Sequence, residues 1–551
     1  VGTQEQPNSV AGHIVDVQAR TVTPGVLHIR TGRIHRIEPR ADVPSRYLIP
    51  GFIDAHIHVE STMLPPAEFA RWALVHGTVA TVSDPHEIAN VLGVTGVDYM
   101  LAEAARRPEF RILFGAPSCV PATMFETAGA ELDAGAVGEL LARPEIGYLS
   151  EVMNVPGVLA GEEGLLQKLR TAQDNGKPID GHAPGLRGEA VRRYAAAGVT
   201  TDHECTTIEE ARERLEAGMW VLIREGSAAK DFTALSPLMF EAPERLMFCS
   251  DDKHPNDLLR GHVNRIAARA VALGIDPLEV LRIACWNPAL HYGLRTGFLR
   301  PGDPASFVVV GDLTELTPLE TYLHGVCVAR DGAPLWEYLP PATPNTFRKT
   351  LPDKAGLRLQ VASGSSMRVM EVYDGKLITG ELRVPAAECV LNGAFECNTV
   401  RDLLKIAVVN RYADTPPAVA VVHGFGLKRG AIASSVAHDS HNVVAVGADD
   451  GSLLAAVAAV VQAGGGVAVA RGPAAAEVLP LPIAGLMASA AAEEVAAQYE
   501  QLDRTANELG SQLRSPLMTL SFMALLVIPK LKLSDKGLFD GEAFALTEPA
   551  Q

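Results

Sequence analysis

Aromatic residues make up only 5% of the 551-residue chain, and positive charge is in deficit: 48 Lys and Arg stand against 65 Asp and Glu, a net charge of −17. A negative surface repels phosphate backbones and anionic lipid, and scarce aromatics leave no base-stacking platform. Nucleic acid and membrane surfaces are therefore excluded as expected partners. The seven cysteines (Cys119, Cys205, Cys249, Cys285, Cys327, Cys389 and Cys397) form no C-x-x-C pair and keep no regular spacing. That pattern reads as reduced thiols in the cytoplasm rather than a disulfide framework. Val1–Pro7 lacks the basic and apolar regions of a signal peptide, and with no initiator Met a few native residues are expected to precede it. Only Leu453 to Ala470 approaches membrane-spanning length without a charge. Its Ala/Gly content, Gln462 and the Gly464-Gly465-Gly466 run predict a buried helix followed by a strand instead. The triple glycine also lacks the Lys-Ser/Thr of a phosphate loop.

What is present is an ordinary globular composition, 47% hydrophobic and 21% charged, long enough for two or three domains. Residues 12–50 alternate short β-like runs with turns, and a second β-rich stretch lies around 305–310 and 324–330. Between them, over residues 51–300, eight short apolar runs are separated mostly by helical periodicity: Phe52–Ile57, Val79–Val82, Ile112–Gly115, Gly147–Val152, Pro178–Gly181, Val199–Asp202, Met219–Ile223 and Leu246–Cys249. The predicted helices include a long one over Asp257–Leu273 and another opened by Asp276-Pro277. Eight βα alternations over about 250 residues predict an α/β fold, a (β/α)8 TIM-like barrel. Pro340-Pro341-Ala342-Thr343-Pro344 marks a linker, and residues 346–551 read as a C-terminal α/β domain in which Glu493–Leu513 is an amphipathic helix.

The strongest local signal is Ile53-Asp54-Ala55-His56-Ile57-His58. In a strand His56 and His58 share a face, and at the C-terminal end of a barrel strand both point into the mouth where such folds keep their sites. Glu151, His182 and His203 close the fourth, fifth and sixth runs, and Asp251 and Asp252 follow the eighth. Imidazoles and carboxylates gathered in one mouth predict a pair of divalent cations, with Mn, Fe or Zn suited to a set of N and O ligands. A carboxylate such as Glu151 can bridge two cations, and Asp251 is suited to accept a proton from the water they activate. Asp84, His86 and Glu87 follow the second run; contact with a cation, the substrate or water competes with an Asx-type turn and a helix N-terminal charge. His438, Asp439 and His441 line a pocket mouth, bind an extra cation or form a plain loop network. Ser118-Cys119 after the third run offers a substrate contact or, for the thiol, core packing.

This layout resembles the amidohydrolase superfamily: H-x-H on strand 1, a bridging residue on strand 4, His on strands 5 and 6, Asp on strand 8. Trp286-Asn287-Pro288-Ala289 and Gly297-Phe298-Leu299-Arg300-Pro301-Gly302-Asp303 match its tail motif, although Ala305-Ser306-Phe307 stands where members often carry Ala-Asp-Leu. Within the superfamily the chain resembles the bacterial adenine deaminases. The matching stretches include His58-Val59-Glu60-Ser61-Thr62-Met63, Ser83-Asp84-Pro85-His86-Glu87, Asp180-Gly181-His182-Ala183-Pro184-Gly185, Asp202-His203-Glu204, Ser250-Asp251-Asp252-Lys253 and Ala437-His438-Asp439-Ser440-His441-Asn442. The resemblance implies a small β-sandwich built from residues 1–50 and 301–345, a metal-binding barrel over 51–300 and the extra domain over 346–551. It implies hydrolytic deamination of free adenine to hypoxanthine and ammonia by a metal-activated hydroxide at a binuclear centre, in a homo-oligomer. His56, His58, Glu151, His182, His203 and Asp251 would hold the metal. Asp251, Glu204 and Asp252 would move protons or orient ligands, and Asp84, His86, Glu87, Ser118, His438 and His441 are candidates for contact with the purine. A different amidohydrolase opening a cyclic amide, and a metal-loaded scaffold without activity, are the competing expectations.

Overall fold

Four strands precede the H-x-H segment: β1 (Ser9–Asp16), β2 (Thr21–Arg30), β3 (Arg33–Pro39) and β4 (Tyr47–Pro50). The computed structural model describes residues 9–348, 351–362 and 364–551; Val1–Pro7, the stretch without signal-peptide character, lies outside them. Eight parallel strands follow: β5 (Phe52–Ile57), β6 (Thr78–Ser83), β7 (Arg111–Ala116), β8 (Ile146–Val152), β9 (Ile179–Gly181), β10 (Thr201–Asp202), β11 (Trp220–Arg224) and β12 (Leu246–Cys249). β13 (Phe307–Val310), β14 (Pro318–Leu323), β15 (Val326–Arg330) and β16 (Ala333–Pro334) then return to the first four. These outer strands make one sheet in the order β16-β15-β14-β13-β4-β1-β2-β3. The late strand β13 runs antiparallel to β4, with Phe307 opposite Pro50. The two sequence-distant β-rich stretches are thus halves of one sheet, packed around Val10, Ile14, Leu27, Leu48, Phe307 and Tyr322.

The parallel strands stand in sequential order, β5 to β9 in one ladder and β10 to β12 in another. The sheet curls. At one junction the Thr200 amide donates to the Ile179 carbonyl (2.8 Å); at the other, the Asp251 amide donates to the His56 carbonyl (2.9 Å) and the His58 amide to the Asp251 carbonyl (3.1 Å). β5, β6 and β12 are buried at every residue, as expected of parallel strands covered on both faces. Ile53, Ala80, Val82, Leu113, Tyr148, Leu222 and Met247 form one apolar cluster; Phe52, Val221, Ile223 and Phe248 belong to another with Ile266, Ala270 and Leu281 of the covering helices. Asp276 caps the predicted helix, its carboxylate accepting from the Leu278 amide (2.8 Å) with Pro277 in the first turn.

One predicted helix is interrupted. In place of a continuous element over 257–273 there are helices Pro255–Arg260 and Val263–Ala272, with extended backbone at Gly261. The break lets His262 turn inward, where its Nε2 meets the Asp54 carboxylate at 2.8 Å and its Nδ1 the Thr78 hydroxyl at 2.8 Å.

The chain divides into two compact units. The first comprises residues 1–85, 98–118 and 133–339, the second 86–97, 119–132 and 340–551. The second is built on an eight-stranded sheet whose central strands include Leu404–Val409, Ala418–His423, Ala431–Ser434 and Val443–Gly447. Helix Asp450–Ala463 is capped by Asp449 and ends at Gly464 in the left-handed region (φ 73°). It packs Leu453, Val457, Val460 and Val461 into that unit's core and hands over to strand Gly466–Gly472. The long uncharged run is therefore a helix, a glycine turn and a strand. Among the described residues no helix is long and apolar enough to cross a membrane.

Candidate metal centre

The C-terminal strand ends of the first unit bring six of the expected residues together. His56 lies in β5 and His58 immediately after it; Glu151 lies in β8; His182 and His203 directly follow β9 and β10, and Asp251 follows β12. All six are buried. Glu151 sits in the middle. Its Oε2 is 3.0 Å from His203 Nε2, 3.2 Å from His182 Nδ1 and 3.7 Å from His56 Nε2, and its Oε1 is 3.7 Å from His58 Nε2. Asp251 Oδ1 closes the group, 3.1 Å from His58 Nε2 and 3.6 Å from His56 Nε2. The His56 and His203 rings stack face to face at 4.1 Å, while His58 meets His56 and His182 meets His203 edge-on, at 4.9 and 5.5 Å.

A divalent cation fits this donor set. Ligand atoms about 2.1 Å from a tetrahedral cation stand roughly 3.4 Å apart, within the spread of the separations above. Both ring nitrogens of His56 and the Nε2 of His182 are buried without a hydrogen-bond partner, a costly state that coordination would relieve. The His58 Nδ1 faces the Asp84 carbonyl at 3.2 Å. A carbonyl only accepts, so that nitrogen carries the hydrogen and Nε2 is the one left to coordinate. Burial by itself would raise the Glu151 carboxyl, but His182 and His203 hold it well below its ordinary value. Asp251 is likewise held low against burial by His56, His58 and Arg224. His182 is pushed up to about 9, the pull of burial being outweighed by Glu204 and Glu151. Among these side chains alone the carboxylates are anions and His182 a cation; a bound metal would take the place of that proton.

The remaining expected residues divide. Glu204 Oε1 lies 3.5 Å from His203 and 3.7 Å from His182. Asp252 instead accepts from the Ser61 hydroxyl (2.5 Å). The Ser118 hydroxyl donates to the Glu151 carbonyl (2.5 Å), so it supports the strand that carries the central carboxylate. His86, Glu87, His438 and His441 belong to the second unit. There the Glu87 carboxylate is clasped between His438 Nδ1 and His441 Nε2, and His86 Nε2 lies 3.6 Å from Glu87 and 3.7 Å from Asp439. Glu87 is in the first turn of helix His86–Leu92. A cleft of about 340 Å³ at the opposite, N-terminal ends of β6 and β7, lined in part by Val79, Arg111, Arg295 and His324, contains none of the expected residues.

Several contributors escaped the sequence reading. Arg224 ends β11 and pairs with both Glu204 and Asp251. Asp54 ties strand β5 to the segment before Asp251, its carboxylate accepting from the Ser250 amide (3.0 Å), the Ser250 hydroxyl and His262. Tyr194 donates to the Val152 carbonyl (2.6 Å) and accepts from the His182 amide (3.2 Å), joining the ends of β8 and β9. Asp54 alone carried a visible signal, two residues before His56 and on the same side of the strand.

Residues 47–330, which hold all six candidate ligands, match the amidohydrolase family, and residues 376–545 match the adenine deaminase C-terminal domain. The chain is 56% identical to the adenine deaminase of Salinibacter ruber over 98% of both chains. It is 52% identical to that of Sulfurovum sp. over 96% of this chain and 97% of the relative, and 46% identical to that of Methanosarcina barkeri over 98% of both. The last is archaeal, so the resemblance is not to bacterial members alone. Identity at this level along almost the whole of each relative, with both units matched, means that the chain belongs to the adenine deaminase family of amidohydrolases.

Proposed function

We propose that the protein is a metal-dependent aminohydrolase that converts free adenine and water to hypoxanthine and ammonia at a pair of divalent cations, Mn, Fe or Zn, held by His56, His58, Glu151, His182, His203 and Asp251. The observation that carries the reading is the placement of Glu151. Its Oε1 faces His58 and its Oε2 faces His182, His203 and, at 3.7 Å, His56, a central position from which one carboxylate could serve two ions. Two cations there would supply Lewis-acid activation of water at neutral pH. The chain's own part is proton traffic and orientation. Asp251 Oδ1 takes a proton from the attacking water as the C6–O bond forms, and returns it to the exocyclic nitrogen as the C6–N bond breaks. Glu204, the third carboxylate at the centre after Glu151 and Asp251, is a further candidate for proton transfer, and Asp252, fixed by Ser61, supports the loop that presents Asp251.

Asp84 and Ser118 are proposed contacts for the purine. For His86, Glu87, His438 and His441 the same role is proposed on the family resemblance alone. We also read the eight parallel strands as a closed (β/α)8 barrel, residues 1–50 with 301–345 as its β-sandwich, and 346–551 as the C-terminal domain. A cytoplasmic homo-oligomer is proposed with them. Ammonia release from adenine, adenosine, guanine, cytosine and a hydantoin, by protein reconstituted with each metal, tests the substrate. Glu151→Ala is expected to lose bound metal and adenine turnover together, and full turnover by metal-depleted Glu151→Ala protein would sink the mechanism.

A further inference from the structure

Arg224 is 2% exposed and stands at the end of β11, between the strands that lead into Glu204 and Asp251. Its guanidinium meets three carboxylates. Nη1 donates to Glu204 Oε1 and to Asp251 Oδ2 (2.9 Å), Nη2 to Glu204 Oε2 (3.1 Å), and Nε to Asp231 Oδ2 (2.9 Å). Arginine offers no lone pair to a cation and gives up no proton at any working pH, so it neither coordinates nor catalyses. Its effect is on the two carboxylates. With Asp251 Oδ2 committed to Arg224, Oδ1 is the oxygen left facing His56 and His58. With both oxygens on one planar fork, Glu204 is fixed in rotation beside His182 and His203.

We propose that Arg224 is a positioning residue for the deamination, a clamp that assigns the two oxygens of Asp251 to different tasks and locks Glu204 next to it. The proposal rests on the function proposed above. In that reaction the proton taken from water resides on Asp251 Oδ1 until the C6–N bond breaks and ammonia leaves; Arg224 keeps all its protons throughout. Asp231, on the far side of the guanidinium, holds the clamp in its own orientation through Nε. A lysine at 224 would keep the charge but not the fork, and so could not hold both carboxylates in one plane.

The test uses the full-length protein with Mn2+, and separately with Co2+ as a spectroscopic probe, comparing wild type with Arg224→Met, Arg224→Lys, Glu204→Gln and the double variant Arg224→Met/Glu204→Gln. Arg224→Met is expected to lower kcat for adenine about 100-fold, the scale of a misplacement near 1 Å, with KM nearly unchanged and the metal content of wild type. Its Co2+ d–d spectrum should shift, because Asp251 is free to turn, and Arg224→Lys should fall between the two in both kcat and spectrum. In the Glu204→Gln background the loss on removing Arg224 should shrink, since one of the two clamped groups has already gone. Wild-type kcat and an unshifted spectrum in Arg224→Met overturn the proposal. So does loss of metal and of folded protein in Arg224→Met with Arg224→Lys indistinguishable from wild type, which leaves only a structural charge. If Arg224→Met does not fold and Arg224→Lys does, a lowered kcat with a shifted spectrum in the lysine variant supports the clamp. If wild type itself fails to deaminate adenine, the function falls, while the Co2+ spectra still decide whether Arg224 orients Asp251.

Discussion

Arg214 should be among the most costly side chains to remove from the first unit, and the structure says why. It lies on helix Ile208–Glu216 with no exposed surface. Its Nε donates to Asp202 Oδ2 (2.7 Å), Nη1 to the Leu186 carbonyl (2.6 Å) and Nη2 to the Ala183 carbonyl (2.7 Å). Asp202 in turn accepts from the amides of Glu204 (3.0 Å) and Ala183 (3.3 Å). One buried pair therefore fixes the chain after His182 to the chain that carries His203. Arg214→Met keeps most of the volume, strands a buried carboxylate and orphans two carbonyls, and breaking such a pair costs about 3–5 kcal/mol. Burial alone would push the Asp202 carboxyl up, and Arg214 is the chief group holding it below its ordinary value. Without Arg214, proton uptake by Asp202 trims the loss toward the lower figure. Urea unfolding followed by tryptophan fluorescence isolates the effect, because all four tryptophans (Trp72, Trp220, Trp286 and Trp336) lie in the first unit. The midpoint should fall at constant m. Asp202→Asn/Arg214→Met should lose less than the sum of its parts, by about 1–3 kcal/mol. A loss under about 1 kcal/mol in Arg214→Met would refute the reasoning, since an exposed pair would do as much.

Two further perturbations test other parts of the chain. Glu126, buried in the second unit, has its carboxyl pushed up to about 8 by burial and then by the charge of Asp439, against the donors of Thr123. The folded state thus holds a proton that the unfolded chain releases near 4.5. Its contribution is complete below that value and is lost as pH rises to about 8, with a slope of up to ~1.4 kcal/mol per pH unit. Thermal unfolding by circular dichroism across that range should show the decline in wild type and a flatter profile in Glu126→Gln; parallel profiles would exclude the buried acid. At Gly226 a Cβ would stand 2.4 Å from the Ser250 carbonyl oxygen and 2.7 Å from that of Asp252. Gly226→Ala should displace the segment carrying Asp251 and lower kcat/KM roughly tenfold or more, and unchanged kinetics would show that the segment yields freely.

What the sequence made legible was whatever local periodicity controls. His56 and His58 are two residues apart on a strand, so their common direction follows from the pleat alone. Glu151, His182, His203 and Asp251 were placed by the ends of apolar runs, and the strands do end beside them. Groups whose meaning depends on distant partners stayed hidden. Arg224 after Trp220-Val221-Leu222-Ile223 reads as a charge leaving the sheet for solvent; besides nearby Asp231, its carboxylates at the centre lie 20 and 27 residues away. Arg214, in Glu-Glu-Ala-Arg-Glu-Arg-Leu-Glu, reads as one more charge on a wet helix face, yet it is fully buried, on the same side as Glu210 and Ala211. His262 fell inside a convincing helical period that breaks at extended Gly261, where its ring meets Asp54 and Thr78. Segments 86–97 and 119–132 likewise count with the second unit, a grouping no linear boundary can express.

The hidden residues share one physical task. Of the six metal-ligand candidates, His56 and Glu151 are the penultimate residues of their strands. The other four, His58, His182, His203 and Asp251, sit just past a strand, where the ladder of backbone hydrogen bonds no longer fixes side-chain direction. The groups that fix it are buried and polar, and each spans two strand ends: Tyr194 joins β8 to β9, Asp202 with Arg214 joins β9 to β10, Arg224 joins the residues after β10 and β12, and Asp54 joins β12 to β5. These ties run from the fourth strand to the eighth and back to the first, the same arc that carries the six ligand candidates. A centre that needs several donors within a few tenths of an ångström cannot rely on apolar packing, which resists compression but not rotation of a carboxylate or an imidazole. Directional hydrogen bonds to both neighbours resist it, and their buried state makes each expensive to break. Damage at the ties should therefore appear first as misdirected donors and slowed proton transfer, and as lost stability where, as at Arg214, a buried charge is left alone.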